Sequence, residues 1–233
     1  MMYEDGGCRY VSSVEWARQG AEMALRARAS DDAYRARCKR GDAFSCTLLA
    51  EAYAHGRGVA PDTAIATALY ARANALSGPP CNAGDGVACD GLAAAYRAGW
   101  GVAADQAKAA ELGRRALGLL GSACERGDGE ACRRQAYKLS VGQDTVEDRL
   151  QANRLYLKAA GLLDASCGHG APEACRSLYV MRMFGDGVPR DEARGRAALE
   201  RARLLWGAAC RQGDGDACTR AREQVEGAEG GAP

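Results

Sequence analysis

The sequence predicts an all-α protein, a right-handed α/α solenoid of stacked helix pairs, and three observations carry that expectation. Ten of the eleven cysteines fall in pairs eight residues apart, Cys38/Cys46, Cys81/Cys89, Cys124/Cys132, Cys167/Cys175 and Cys210/Cys218, and each pair stands 43 residues beyond the last. Glycines, alanines and short amphipathic runs recur in step with them. Aromatic residues make up only 6% of the chain, and apart from one hairpin-like stretch little of it alternates β-branched with polar residues as strands do. A helix pair cannot bury its apolar stripe alone, so pairs repeating at a strict period must stack on one another.

The unit can be read element by element. Three residues after each first cysteine comes a glycine (Gly41, Gly84, Gly127, Gly170, Gly213), followed by aspartate everywhere except at Ala171. The second cysteine opens a short amphipathic run, such as "DGLAAAYRAG", read as helix A. It ends at Gly56, Gly99, Gly142 or Gly185, residues suited to a left-handed C-cap. A Gly-x-Gly-Val loop follows in three repeats, and "SVGQDTVED" replaces it in the third. Asp62, Asp105, Asp148 and Asp191 then stand where a carboxylate can cap helix B. Helix B carries Ala73, Ala116, Ala159 and Ala202 at one position and Leu76, Leu119, Leu162 and Leu205 three residues on. Residues 1–37 are assigned to an N-terminal capping helical segment, 38–220 to the solenoid and 221–233 to a disordered tail.

Composition excludes several functions. Lys and Arg number 31 against 30 Asp and Glu, so no basic field is available for nucleic acid or an anionic membrane. No apolar run approaches the ~20 residues of a transmembrane helix. For the cysteine pairs, a disulfide is favoured over two alternatives. One cysteine ends helix B and the other opens the next helix A, and antiparallel helices bring the two side by side; a closed ring of this size stabilises by about 2.5 kcal/mol. Zinc sites usually pair ligands two to four residues apart and need four in all, and His55 and His169 are the only histidines. Redox catalysis wants C-x-x-C spacing, which is missing. The Arg-Gly-Asp tripeptides, Arg40 to Asp42 and Arg126 to Asp128, fall in the Gly-Asp column and read as a turn and a cap. Eleven cysteines argue for an oxidising, periplasmic or extracellular location. The start "MMYEDGGCRY" shows no basic and then apolar segment of an export signal, which keeps a cytoplasmic protein with reduced thiols as the competing reading. Cys8 lacks a partner in the pattern. It reads as half of a clip cut by the sequence start, as a lipid-bearing cysteine after the small Gly6 and Gly7, or as a free or intermolecular thiol.

"LAEAYAHGRGVAPDTAIATALYARA" and "LAAAYRAGWGVAADQAKAAELGRRA" resemble the Sel-one-like repeat (SLR), a relative of the tetratricopeptide repeat, and the C-x₇-C pairs resemble its cysteine-rich secreted bacterial branch. The resemblance covers roughly residues 38–220. This unit is longer than the family's by seven residues, "NALSGPP" in the first repeat, about two helical turns. The expectation is a longer helix B, a thicker solenoid, and clips displaced outward on stalk-like helix ends. The resemblance implies a scaffold that holds a protein or extended peptide on a concave face lined by helix A. Candidates there are Tyr53, Tyr96, Arg97, Trp100, Tyr137, Met181, Arg182 and Met183. Tyr53 and Tyr96 read more readily as packing between helices, and Trp100, which replaces Arg57 and Asp186 of other repeats, as an anchor. Some relatives are described as binding or hydrolysing β-lactams, which keeps an enzyme as the alternative. No serine here has lysine three residues on, the S-x-x-K spacing of that chemistry, and no metalloprotease or phosphate-loop motif is present. No catalytic residue, metal or cofactor is assigned.

Overall fold

The computed structural model describes residues 3–4, 7–8, 32–142, 145–218 and 220–221. Two compact units divide within one helix, the second running from Asn74 to Ala221. In the first unit, strands β1 (Tyr3–Glu4) and β2 (Gly7–Cys8) pair antiparallel, the one departure from all-α structure among the described residues. Helix α1 is described over 32–39, and α2 (Ala43–His55) follows. Helix α3 (Thr63–Asn82) begins in this unit, and Ala50, Ala66 and Tyr70 form a small core between α2 and α3. The second unit continues with α4 (Gly86–Ala98), α5 (Gln106–Glu125), α6 (Gly129–Gly142), α7 (Val146–Gly168), α8 (Pro172–Phe184) and α9 (Glu192–Arg211). Each of these helices packs on the next, so the unit is an α/α solenoid. The expected 1–37 segment and C-terminal tail fall for the most part outside the described residues.

Every joint from helix B to the next helix A is built the same way. Gly41, Gly84, Gly127, Gly170 and Gly213 hold φ between 93° and 97°, a left-handed conformation that side chains resist. At the third joint the Gly127 N–H donates to the Cys124 carbonyl at 3.1 Å and the Asp128 N–H to the Ala123 carbonyl at 3.0 Å. These are the two bonds of a Schellman C-cap, and the other four joints repeat both. The residue that closes this cap is also the N-cap of the next helix. Asp42 accepts from the Phe44 and Ser45 N–H groups, Asp85 from Val87 and Ala88, Asp128 from Ala131, and Asp214 from Asp216 and Ala217. Ala171 offers no side-chain cap, and Pro172 stands next to it in the first turn, where its missing N–H removes a donor that would otherwise lack a partner.

A disulfide spans each joint. Cys38 is bonded to Cys46, Cys81 to Cys89, Cys124 to Cys132, Cys167 to Cys175 and Cys210 to Cys218, with Cα atoms 4.4 to 4.7 Å apart. The expectation that these clips stand outward on stalks is corrected by their burial. Cys46, Cys89, Cys132 and Cys175, in the first turns of their A helices, are fully buried, and so nearly are Cys38, Cys81, Cys124 and Cys167. Cys210 and Cys218, at the last joint, are half-buried. The reason is that each first cysteine extends the inward stripe of helix B: Ala116, Leu120 and Cys124 in α5; Ala159, Leu163 and Cys167 in α7. The added turns, in helices of 20 to 23 residues against 13 or 14 for the A helices, therefore enlarge the core rather than form stalks. Leu119, Leu162 and Leu205 are only partly buried, and the deep positions are the next residues, Leu120, Leu163 and Trp206.

The loops from A to B vary more. Gly56, Gly99 and Gly185 cap their helices in the left-handed conformation. Asp62, Asp105 and Asp191 cap helix B by accepting from the N–H three residues on, at 2.9 Å each. The third repeat departs from both expectations. Helix α6 runs through Gly142, and α7 is capped by Thr145, whose hydroxyl oxygen accepts from the Asp148 N–H at 3.2 Å. Asp148 lies inside the helix and pairs with the Thr145 hydroxyl, so helix B gains a turn at its start.

Candidate functional site

The A helices present two faces. In α6, Ala131, Cys132, Ala136 and Leu139 point into the core, which leaves Glu130, Arg133, Arg134, Tyr137 and Val141 on the other side, with Lys138 between the two faces. In α8 the buried set is Ala174, Cys175, Leu178 and Met181, leaving Glu173, Arg176, Ser177, Val180 and Phe184 opposite. Consecutive A helices are tied along this second face. Lys138 of α6 pairs with Asp90 of α4. Glu130 of α6 accepts two bonds from Arg133, at 2.9 and 2.7 Å, one from Arg134 at 2.9 Å, and one from the Ser177 hydroxyl of α8 at 3.0 Å. Burial pushes the Glu130 carboxyl up, and the bonds and charges of Arg133, Arg134 and Ser177 together outweigh it and hold the group below the ordinary carboxylate range.

Beyond this polar tie the face turns apolar. Tyr137 is 57% exposed, Val141 68% and Phe184 75%. Val141 and Phe184 are one repeat apart, so they hold the same place at the C-terminal ends of neighbouring A helices, and Tyr137 lies one turn before Val141. Val146, Leu157 and Leu204 on the B helices are about as open, so what singles out Val141 and Phe184 is the column they share on neighbouring A helices.

The structure sorts the sequence candidates. Tyr137 is on this face. Met181 is not: it is fully buried, because it lies one turn beyond Leu178 on the inward stripe, in the column that holds the buried Ala52 and Ala95 and, in α6, the largely covered Lys138. Met183 is half-buried, and a Cβ added to Gly195 of α9 would stand 3.3 Å from its sulfur. Tyr96 is half-buried with the Lys108 ammonium 4.6 Å from its ring centre, and its hydroxyl raises the Lys108 pKa. Tyr53 receives a hydrogen bond from Arg35 at 3.0 Å. Arg182 pairs with Asp164 of α7 at 3.0 Å. Arg97 is exposed, and its carbonyl accepts from the Gln106 side chain at 3.0 Å. Trp100 is 40% exposed in the second A–B loop, its carbonyl accepting from Asn74 at 2.7 Å. The Cys8 side chain lies outside the description.

Val141 and Phe184 were missed because each stands at the polar-looking end of a helix, next to a C-terminal glycine; aligning the repeats by column pairs them. A basic column on helix B was missed as well. Arg72 reaches the Lys39 carbonyl at 3.2 Å, Arg115 those of Cys81 and Asn82 at 3.1 and 3.2 Å, and Arg201 those of Cys167 and Gly168 at 3.1 and 2.9 Å. These guanidinium groups satisfy the last carbonyls of the preceding helix B, where the helix dipole favours a cation. The signal was in the 43-residue spacing of positions 72, 115, 158 and 201, which read Arg, Arg, Lys and Arg.

Among the described residues, no group of three or more His, Cys, Asp or Glu side chains could hold a metal ion, and no helix is long and apolar enough to cross a membrane.

The described helices form a repeat of clipped A–B helix pairs. Its marks are the chain's own: a 43-residue A–B helix pair, a Schellman joint and a disulfide across it. Two solved structures align with the chain. One is the crystal structure of a Sel1 repeat protein from Oxalobacter formigenes, 24% identical, covering 76% of this chain and 46% of that one with a TM-score of 0.30. The other is that of c5321, a protective antigen present in uropathogenic Escherichia coli strains and displaying an SLR fold, 18% identical, covering 83% and 49% with a TM-score of 0.29. The chain spans about half the length of these structures. No family model and no curated protein matches it.

Proposed function

We propose that this SLR-type chain is a non-catalytic scaffold that binds a protein or peptide along the A-helix face of its second unit. The observation that carries the reading is the exposure of Tyr137, Val141 and Phe184 beside a polar tie that holds α4, α6 and α8 in register. Helical repeats use such faces because a stack of rigid helices presents a long surface at little entropic cost. The β-lactam alternative has no comparable support, and Trp100 is a second, smaller anchor candidate in the loop above α5. Five disulfides suit an oxidising compartment, the periplasm or the cell exterior.

The test is a photo-crosslinking amino acid placed at Tyr137 in the source cell. A discrete crosslinked species that disappears in Phe184→Ser supports the reading, and the absence of any crosslinked species sinks it. Two side measurements bear on the rest. Reduction should add ten hydrogens, two for each of the five clips, whereas a mass unchanged by reductant would return the chain to a reducing compartment. Turnover of a chromogenic β-lactam would reopen the enzyme.

A further inference from the structure

Resting on that reading, we infer the chemistry of the partner: an extended segment with a carboxylate side chain and a bulky apolar side chain three or four residues apart. The face is basic at one end and apolar at the other. On α6, Arg133, Arg134 and Lys138 stand against the single carboxylate of Glu130. That carboxylate bonds both guanidinium groups, and Asp186, in the loop after α8, adds a second, more distant negative charge on Arg133. Lys138 is matched by Asp90. On α8, Glu173 pairs with Arg220 at 2.7 Å, whereas Arg176 is exposed and makes no ion pair among the described residues. Arg176 is therefore the unmatched cation of this face, on the N-terminal half of α8, while Arg134 on α6 shares the Glu130 carboxylate with Arg133.

The apolar end follows at a defined distance. Arg134 precedes Val141 by seven residues and Arg176 precedes Phe184 by eight, so the two ends lie about 10–12 Å apart along the helix axes. An extended chain advances about 3.3 Å per residue, which makes that separation three or four residues. A segment laid along α6 and α8 then sets its carboxylate at Arg134 and Arg176 and its apolar side chain among Tyr137, Val141 and Phe184. Nucleic acid would satisfy the arginines but would leave the apolar end uncovered.

The experiment pans a phage-displayed library of random 12-residue peptides on the full oxidised chain, with Phe184→Ser and Arg176→Glu as comparators. Both substitutions are at exposed sites, and circular dichroism checks that each variant keeps its helix content. The enriched sequences are expected to pair Asp or Glu with Phe, Leu, Ile or Trp three or four positions away. Their binding is expected to fall at least tenfold in Phe184→Ser, and Arg176→Glu is expected to switch the enriched charge from acidic to basic. Enriched peptides without an acidic residue, or with equal affinity for both variants, would overturn the inference and leave the scaffold reading standing. No enrichment over bare beads would also overturn it, and the crosslinking experiment then decides the scaffold reading separately.

Discussion

The third and fourth joints differ in how the next helix is capped. Both carry the clip, at Cα separations of 4.6 and 4.7 Å, and both place glycine at φ near 94°. At the third joint the next helix starts on Asp128, whose carboxylate caps it; at the fourth it starts on Ala171, without a side-chain cap, and Pro172 follows. The chain thus treats the disulfide and the left-handed glycine as fixed parts and the N-cap as replaceable: Pro172 leaves one fewer N–H at the helix start, though not the one that aspartate caps at the other joints.

The largest effect expected at either joint is loss of its clip. Cys124→Ser with Cys132→Ser, and separately Cys167→Ser with Cys175→Ser, should each cost about 2.5 kcal/mol in urea unfolding. A clear inequality between them would show that the cap and the clip are coupled. Next come the glycines. Gly127→Ala and Gly170→Ala should each lose about 1–2 kcal/mol, because an L-residue is strained there, while Gly118→Ala, in an open position on α5, should gain about 0.5–1 kcal/mol. The caps separate the joints. Asp128→Ala should cost about 1 kcal/mol and Ala171→Asp should return up to that amount; a neutral Asp128→Ala would mean that the carboxylate does no capping.

The smallest effect is a pH dependence confined to the third joint. The Glu130 carboxyl is held below its ordinary value in the folded chain, so its contribution is complete at neutral pH and is lost as pH falls through the folded value. Glu130→Gln should flatten the acid limb of the stability profile, by under about 1 kcal/mol for a half-buried group. A profile as steep as the parent's would remove Glu130 from that role.

The joints were legible because their parts are local and each has a single reason. A left-handed turn selects glycine, a free helix N-terminus selects aspartate, and a covalent bond needs two cysteines. The helix pairs and their order followed from the same period. What could not be read is what depends on rotation about the helix axis. The clips were expected on outward stalks, yet Cys81 and Cys89 are as deep as any core residue, since the added turns bring the cysteine back onto the inward stripe. Met181 looked like a contact residue until its column was set beside Ala52 and Ala95, and Leu120, Leu163 and Trp206 sit one residue from the leucines that the pattern offered. The third A–B loop was legible as an exception, but Asp148 could not be told from Thr145 as its cap without knowing where α7 starts. The face of α6 and α8 was half visible: Tyr137 stood out as an aromatic residue, while Val141 and Phe184 gained meaning only as neighbours.

Each clip also closes within nine consecutive residues of a single joint. Ten clip cysteines could in principle combine in hundreds of ways, yet each finds its partner eight residues along the chain, across a turn that glycine has already bent. A chain emerging end first, from a ribosome or a pore, presents Cys38 and Cys46 long before Cys81 and Cys89 appear, and Cys210 and Cys218 come last. The joints can then oxidise in order, each before a wrong partner is within reach. The same locality would let a 43-residue copy be added or deleted whole without stranding a thiol, which makes the number of repeats an easily varied property of such a chain.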